Sequence, residues 1–181
     1  MKIWILDCDV NEYENLLWEE ELNLDEIRSF DGRKKEQDWR PIKVKCMYGR
    51  KKGNTFGFSA HIPVFDKTAV NVLSDFLEGN AEILPLESED GEFYSINITN
   101  ILDCIDYENS IFKTFRDGKT IMRFIKYEFV ESKVCNQHLF KICDGKLRRP
   151  FVSDEFRTRV IESGLLGFKF ELAWDSEGSG R

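Results

Sequence analysis

The stretch "RPFVSDEFRTRVIESGLLGFKFELAW", residues 149–174, decides how this chain is read. Its Ser153-Asp154-Glu155 could be a polar active-site cluster or the start of a helix. The spacing favours the helix. Ser153 stands where an N-cap hydroxyl accepts from a free backbone N–H of the first turn, a contact worth ~1 kcal/mol. Asp154 and Glu155 sit where the helix dipole favours negative charge. Phe156 occupies the position where Glu or Gln would complete a capping box, so the cap is a simple one. Phe156, Val160 and Ile161 then form one apolar stripe along a helix at 154–163. Gly164 supplies a left-handed stop, and Leu165 can fold back over the last turn. "GFKFELAW", 167–174, alternates as a strand with Phe168, Phe170 and Leu172 on one face.

The same signals recur upstream. "FDKTAVNVLSDFLEGN", 65–80, predicts a helix near 67–78, capped by Asp66 and stopped at Gly79-Asn80. Its apolar face is Ala69, Val70, Leu73, Phe76 and Leu77. Around these helices the pattern is β. Strands are expected at 2–8, 42–47, 81–86, 92–98, 100–106, 120–130 and 138–143, with "ESEDG" (87–91) as a hairpin loop. "IKVKCM" (42–47) alternates apolar with basic residues, as an edge strand does when Lys guards its outer face. Pro85 places 81–86 at an edge or bulge. Asp31-Gly32, Asp117-Gly118 and Asp144-Gly145 mark turns. The acidic segment 11–28 is only partly helical in spacing and reads as helix or loop. The fold class is therefore α+β: a mainly antiparallel β-sheet with two well-marked helices.

With 181 residues, 15 Phe, 4 Trp and 5 Tyr, the chain has ample core material, since each aromatic buries ~150–250 Å². Residues 1–175 are expected to form a single domain, with 1–60 as a candidate subregion and 176–181 as a flexible tail. No segment approaches the ~18–20 apolar residues needed to cross a bilayer as a helix. The opening "MKIWILD" is cut by Asp7 and Asp9 before any cleavage site. Five cysteines (8, 46, 104, 135 and 143) form no dense framework. A cytoplasmic location with mostly buried thiols is expected.

Net charge is −7, and it is arranged in blocks. Segments 1–30 and 61–110 carry −7 and −10, whereas 31–60 and 111–150 each carry +6. Such blocks can pair within the fold or leave an acidic face that attracts a basic partner. "WEEE" (Trp18, Glu19, Glu20, Glu21) is the candidate acidic, aromatic-anchored contact surface, against the plainer reading of a solvated charge run. The segment 32–58 interleaves nine basic residues with Trp39, Tyr48, Phe56 and Phe58. Its Trp39, Lys43, Lys45, Tyr48, Arg50, Lys51 and Lys52 could contact single-stranded nucleic acid through phosphates and stacking. The acidic whole argues instead for pairing with segment 11–28, so nucleic acid is not the expected partner.

Catalytic patterns are missing from the sequence. There is no Gly-x-Ser-x-Gly elbow and no phosphate-binding Gly loop. Only two histidines, His61 and His138, could serve a nucleophilic site. Cys135, His138 and Cys143 are zinc-type ligands, but a strand over 138–143 would point His138 and Cys143 apart. We expect no enzyme activity, no metal and no cofactor.

Taken together, "MKIWILD", "WRPIKV" (39–44), "PVFDKTAVNVLSDFLEGNAEILPL" (63–86), "YSINITNILDCIDYENS" (94–110) and the opening stretch resemble the immunity proteins of bacterial polymorphic toxin systems, a family long known as a domain of unknown function. The resemblance spans about residues 1–175 and rests on overall pattern. It implies a cytoplasmic protein that binds and neutralises a cognate toxin, with no catalytic residue to carry over. An acidic inhibitor would suit a basic, nucleic-acid-cleaving toxin.

Overall fold

Two strands end directly in helices, and each last strand residue is the helix cap. Asp66 Oδ1 accepts from Ala69 N at 2.8 Å, and Ser153 Oγ accepts from Phe156 N at 3.2 Å. These junctions anchor the computed structural model, which describes residues 1–19, 24–144 and 149–178. In chain order the elements are β1 (Lys2–Cys8), β2 (Asn15–Trp18), α1 (Leu24–Arg28), β3 (Val44–Met47), β4 (Thr55–Ser59), β5 (Ile62–Asp66), α2 (Lys67–Val72) and α3 (Ser74–Leu77). There follow β6 (Ala81–Pro85), β7 (Phe93–Ile98), β8 (Ile101–Leu102), β9 (Ile111–Thr114), β10 (Ile121–Lys126), α4 (Glu131–Val134), β11 (Leu139–Ile142), β12 (Phe151–Ser153), α5 (Asp154–Glu162) and β13 (Phe168–Asp175).

Among the described residues the strands make three sheets. One has the order β13-β1-β12-β11-β8, one β3-β2-β4-β5-β7-β6, and β9 pairs β10 as a separate hairpin. Only β8 with β11 and β2 with β4 are parallel among the paired strands. The class is α+β with mainly antiparallel sheet, as expected.

The core follows from strand alternation. Leu6, Leu139 and Val152 of the first sheet and Phe65, Ile96 and Ile98 of the second share one cluster with α2, α3 and α5. The opposite face of the first sheet, including Ile3, Ile5, Phe140, Phe151 and Trp174, packs on Cys104, Phe129 and Val134. The opposite face of the second gathers Leu16, Val44, Cys46, Phe56, Val64 and Phe93. Burying one such side chain contributes roughly 1.5–3 kcal/mol, and successive residues serve different clusters: Leu139 one, Phe140 the other.

The helices depart from expectation. Among the described residues five short α-helices are present, not two, and α5 is the longest at nine residues. The helix near 67–78 is split at Leu73, whose φ of −102° and ψ of 9° leave the helical region. Leu73 is fully buried there, so packing overrides the smooth helical path that the periodicity suggested. Within α5, Phe156 and Val160 are buried but Ile161 is 55% exposed. Leu165 completes the stripe instead, its N–H donating to Val160 O at 3.1 Å, beyond Gly164 at φ +68°.

Several strands lay hidden in the sequence. Segment 11–28, read as helix or loop, holds the strand β2 as well as the short α1; β4, β5, β9 and β12 were also not expected. Pro63 argues against a strand, yet β5 accommodates it where pairing with β4 is irregular, between Val64 opposite Phe56 and Ile62 opposite Ser59. The strand expected over 100–106 shrinks to β8 plus an isolated bridge from Ile105 to Phe129. The edge assignments hold: β3 and β6 are the two ends of the six-stranded sheet, and Lys45 is exposed while Val44 and Cys46 are buried. All five thiols are free; Cys46 and Cys104 are buried, but Cys135 and Cys143 are exposed, so burial is less general than expected. Gly145 of the third turn lies outside the described residues. Ser176 N donates to Met1 O at 2.9 Å.

Candidate partner-binding surface

β2 carries the candidate surface at its C-terminal end. It pairs with β3 in the register Leu16 opposite Cys46 and Trp18 opposite Val44. Leu16 is thereby driven into the core, and Trp18 is left half-buried. The Trp18 indole stacks on Phe58 with ring centroids 4.4 Å apart and planes 17° from parallel. Glu19 is exposed and its N–H donates to Lys43 O at 3.1 Å. Trp18 and Glu19 are thus adjacent on a backbone fixed by β3. Glu20 and Glu21 lie outside the described residues.

The basic segment is tied largely to acidic and carbonyl groups of the same protein. Lys51 Nζ pairs with Glu12 at 2.9 Å, and Lys43 Nζ lies 3.8 Å from Glu87. Arg50 donates to Val10 O. Trp39 Nε1 donates to Pro85 O at 2.8 Å, and its ring meets Phe30 edge-on at 5.9 Å. Tyr48 is exposed, but its hydroxyl donates to Asp90. That bond, with some burial, pushes the phenol up to about 12. Of the seven residues considered for nucleic acid, five are therefore engaged internally, and Lys51 meets the acidic segment 11–28 as anticipated.

His138 has the neighbours of a catalytic triad in the wrong arrangement. Its Nδ1 lies 2.9 Å from Ser153 Oγ and 3.9 Å from Glu155 Oε2. A triad needs the nucleophile on one ring nitrogen and the carboxylate on the other; here both face Nδ1. Ser153 is 5% exposed and already accepts from Phe156 N. The Glu155 carboxyl is held below its usual range, first by the backbone N–H at the start of α5. The cluster caps a helix. Among the described residues, no group of three or more His, Cys, Asp or Glu could hold a metal ion.

Two cavities flank β2. One of about 330 Å³ is lined by Leu6, Cys8, Asn15, Phe56, Phe58 and Ile62 among others, and Asn15 Oδ1 is buried there without a hydrogen-bond partner among the described residues. The other, about 290 Å³, is lined by Glu14, Cys46, Tyr48, Lys52, Asp90 and Phe93 among others. Glu14 is 6% exposed. Sequence reading missed it, because a lone Glu in an acidic run resembles any solvated one. The available signal was alternation: Glu14 and Leu16 fall on the same strand face.

The Immunity protein family (Imm11) matches residues 83–175, just over half of the chain, from β6 through β13. The chain belongs to this immunity protein family. No curated protein matches it. The matched region holds α5 and its cap, the quoted stretch that decided the fold, whereas β2 with Trp18 and Glu19 lies outside it. No helix among the described residues is long and apolar enough to cross a membrane.

Proposed function

We propose that this chain is an immunity protein that binds a cognate bacterial toxin stoichiometrically and neutralises it without catalysis, acting in the cytoplasm. The observation that carries this reading is membership of the immunity protein family. The arrangement of His138, whose Nδ1 faces both Ser153 and Glu155, is in keeping with it. Residues 1–175 act as one unit, since helices and both large sheets share one buried cluster. Trp18, Glu19, Glu20 and Glu21 form the contact surface: an aromatic anchor beside carboxylates that a basic partner would recognise. A basic nuclease fits the net charge of −7. The test is co-expression with the product of the gene immediately upstream. Restored growth with a co-purifying complex supports the reading; an isolated gene, or toxicity unrelieved by a folded protein, removes it.

A further inference from the structure

Glu14 is a carboxylate in a place where the strand pattern calls for an apolar side chain. Burial alternates through residues 13–18, with Glu14 and Leu16 both turned inward. The backbone is held in that phase by the Glu14 N–H donating to Lys51 O at 3.0 Å and by Leu16 opposite Cys46. A buried carboxylate normally has donors around it. Glu14 has none among the described residues: its side chain makes no hydrogen bond or ion pair with them, and the small exposure that the residue keeps, 6%, leaves its oxygens open to the 290 Å³ cavity that it lines.

The other charged groups of the cavity wall are accounted for differently. Asp66 caps α2 and accepts from Asn54 Nδ2 at 2.9 Å. Asp90 accepts from Cys46 N at 2.7 Å and from the Tyr48 hydroxyl. Glu92 is exposed. Lys67 reaches Tyr94 Oη at 3.3 Å. Lys52 lines the wall without an ion pair to Glu14. Four carboxylates against two ammonium groups leave the cavity negative. Burial pushes the Cys46 thiol up to about 11, with Asp90 and Glu14 adding to the shift and Lys52 opposing it. Phe56, Phe93 and Tyr48 supply aromatic walls.

We infer that this cavity is a receptor for a guanidinium side chain, an arginine presented by the bound partner, with Glu14 as the unpaired carboxylate on its wall. Arginine fits better than lysine because its planar fork matches a carboxylate and stacks on aromatic faces. The assignment of the donor to a toxin rests on the function proposed above; the cavity's preference for guanidinium does not.

The test therefore uses no toxin. The protein, carrying ¹³C-labelled Glu side-chain carboxyls, is titrated with N-acetyl-arginine methylamide and, separately, with the uncharged N-acetyl-citrulline methylamide. The arginine probe should move the Glu14 resonance saturably, and the citrulline probe should not. For Glu14→Gln, followed through the backbone amides of Cys46 and Phe93, affinity should fall about tenfold or more. Glu162→Gln, exposed at the end of α5 and outside the cavity, should bind the probe like wild type. Thermal melting of each variant verifies that it is folded. Equal response to both probes, no response, or unchanged affinity in a folded Glu14→Gln would overturn the assignment. Toxin neutralisation without probe binding removes this site alone; probe binding without neutralisation removes the immunity reading and leaves the site.

Discussion

The Trp18 indole lies on the Phe58 ring at a centroid distance of 4.4 Å. This stack joins the end of β2, which is flanked by acidic residues, to β4, in the segment whose aromatics were considered for stacking on bases. It also sets the anchor of the proposed contact surface, since the indole stays partly exposed beside Glu19. Trp18→Ala should leave a folded protein and weaken toxin binding by about 2 kcal/mol or more, as truncating an aromatic hot spot does. Calorimetric titration, with the melting temperature as control, checks it.

Charge reversal at Glu19, Glu20 and Glu21 should act on encounter rather than on the final fit. Rim charges mainly steer association. Stopped-flow kinetics should show a slower on-rate that loses its salt dependence, with little change in dissociation. Unaltered association kinetics would rule the patch out.

Ser153→Ala removes the acceptor for Phe156 N but touches no proposed contact. The loss should be ~1 kcal/mol, lowering the melting temperature by about 2–4 °C with toxin neutralisation intact. Lost neutralisation at an unchanged melting temperature would mean that this junction is more than a cap.

Trp174 Nε1 donates to Glu128 Oε2 at 2.8 Å, and both residues are buried. Lys126 pairs with the other Glu128 oxygen at 2.5 Å. Trp174→Phe keeps most of the ring packing on Phe129 and removes the donor. Urea unfolding should show a loss of about 1–3 kcal/mol, and Trp174→Leu a larger one because a cavity is added.

Alkaline pH should weaken the fold. Burial pushes the Cys8 thiol up to about 12, helped by Asp7 and Asp9, and the Cys104 thiol likewise up to about 12. These groups ionise more easily in the unfolded chain, from the ordinary value of 9.0. Their stabilising effect is therefore complete below pH 9 and lost as pH rises toward 12. Denaturation midpoints should fall from pH about 8 to about 10.5, and Cys104→Ala should fall less steeply than wild type.

The sequence was most legible where local chemistry and tertiary packing agree. Ser153 and Gly164 bound α5, Asp66 caps α2, and the 81–98 hairpin closes over its acidic loop. It was least legible where packing overrides pattern. Leu73 breaks a periodic helix because burying it is worth more than continuing the turn. Pro63 sits in a strand because the irregular pairing there spares it. β2 is four residues long inside an acidic run, too short for alternation to declare itself. The same brevity hid Glu14, whose inward position depends on pairing with a strand some thirty residues away. Trp18 and Glu19 could be nominated from composition alone, but their anchoring on Phe58 and Lys43 required the fold.

The central claim is stoichiometric neutralisation of a toxin by direct binding. Its most direct measurement is calorimetric titration of this protein into the purified product of the neighbouring toxin gene, with toxin activity followed in the same samples. The account predicts saturation at one immunity protein per toxin, and activity falling in step with occupancy. Full toxin activity in the presence of excess folded protein, with no heat of binding, would contradict it.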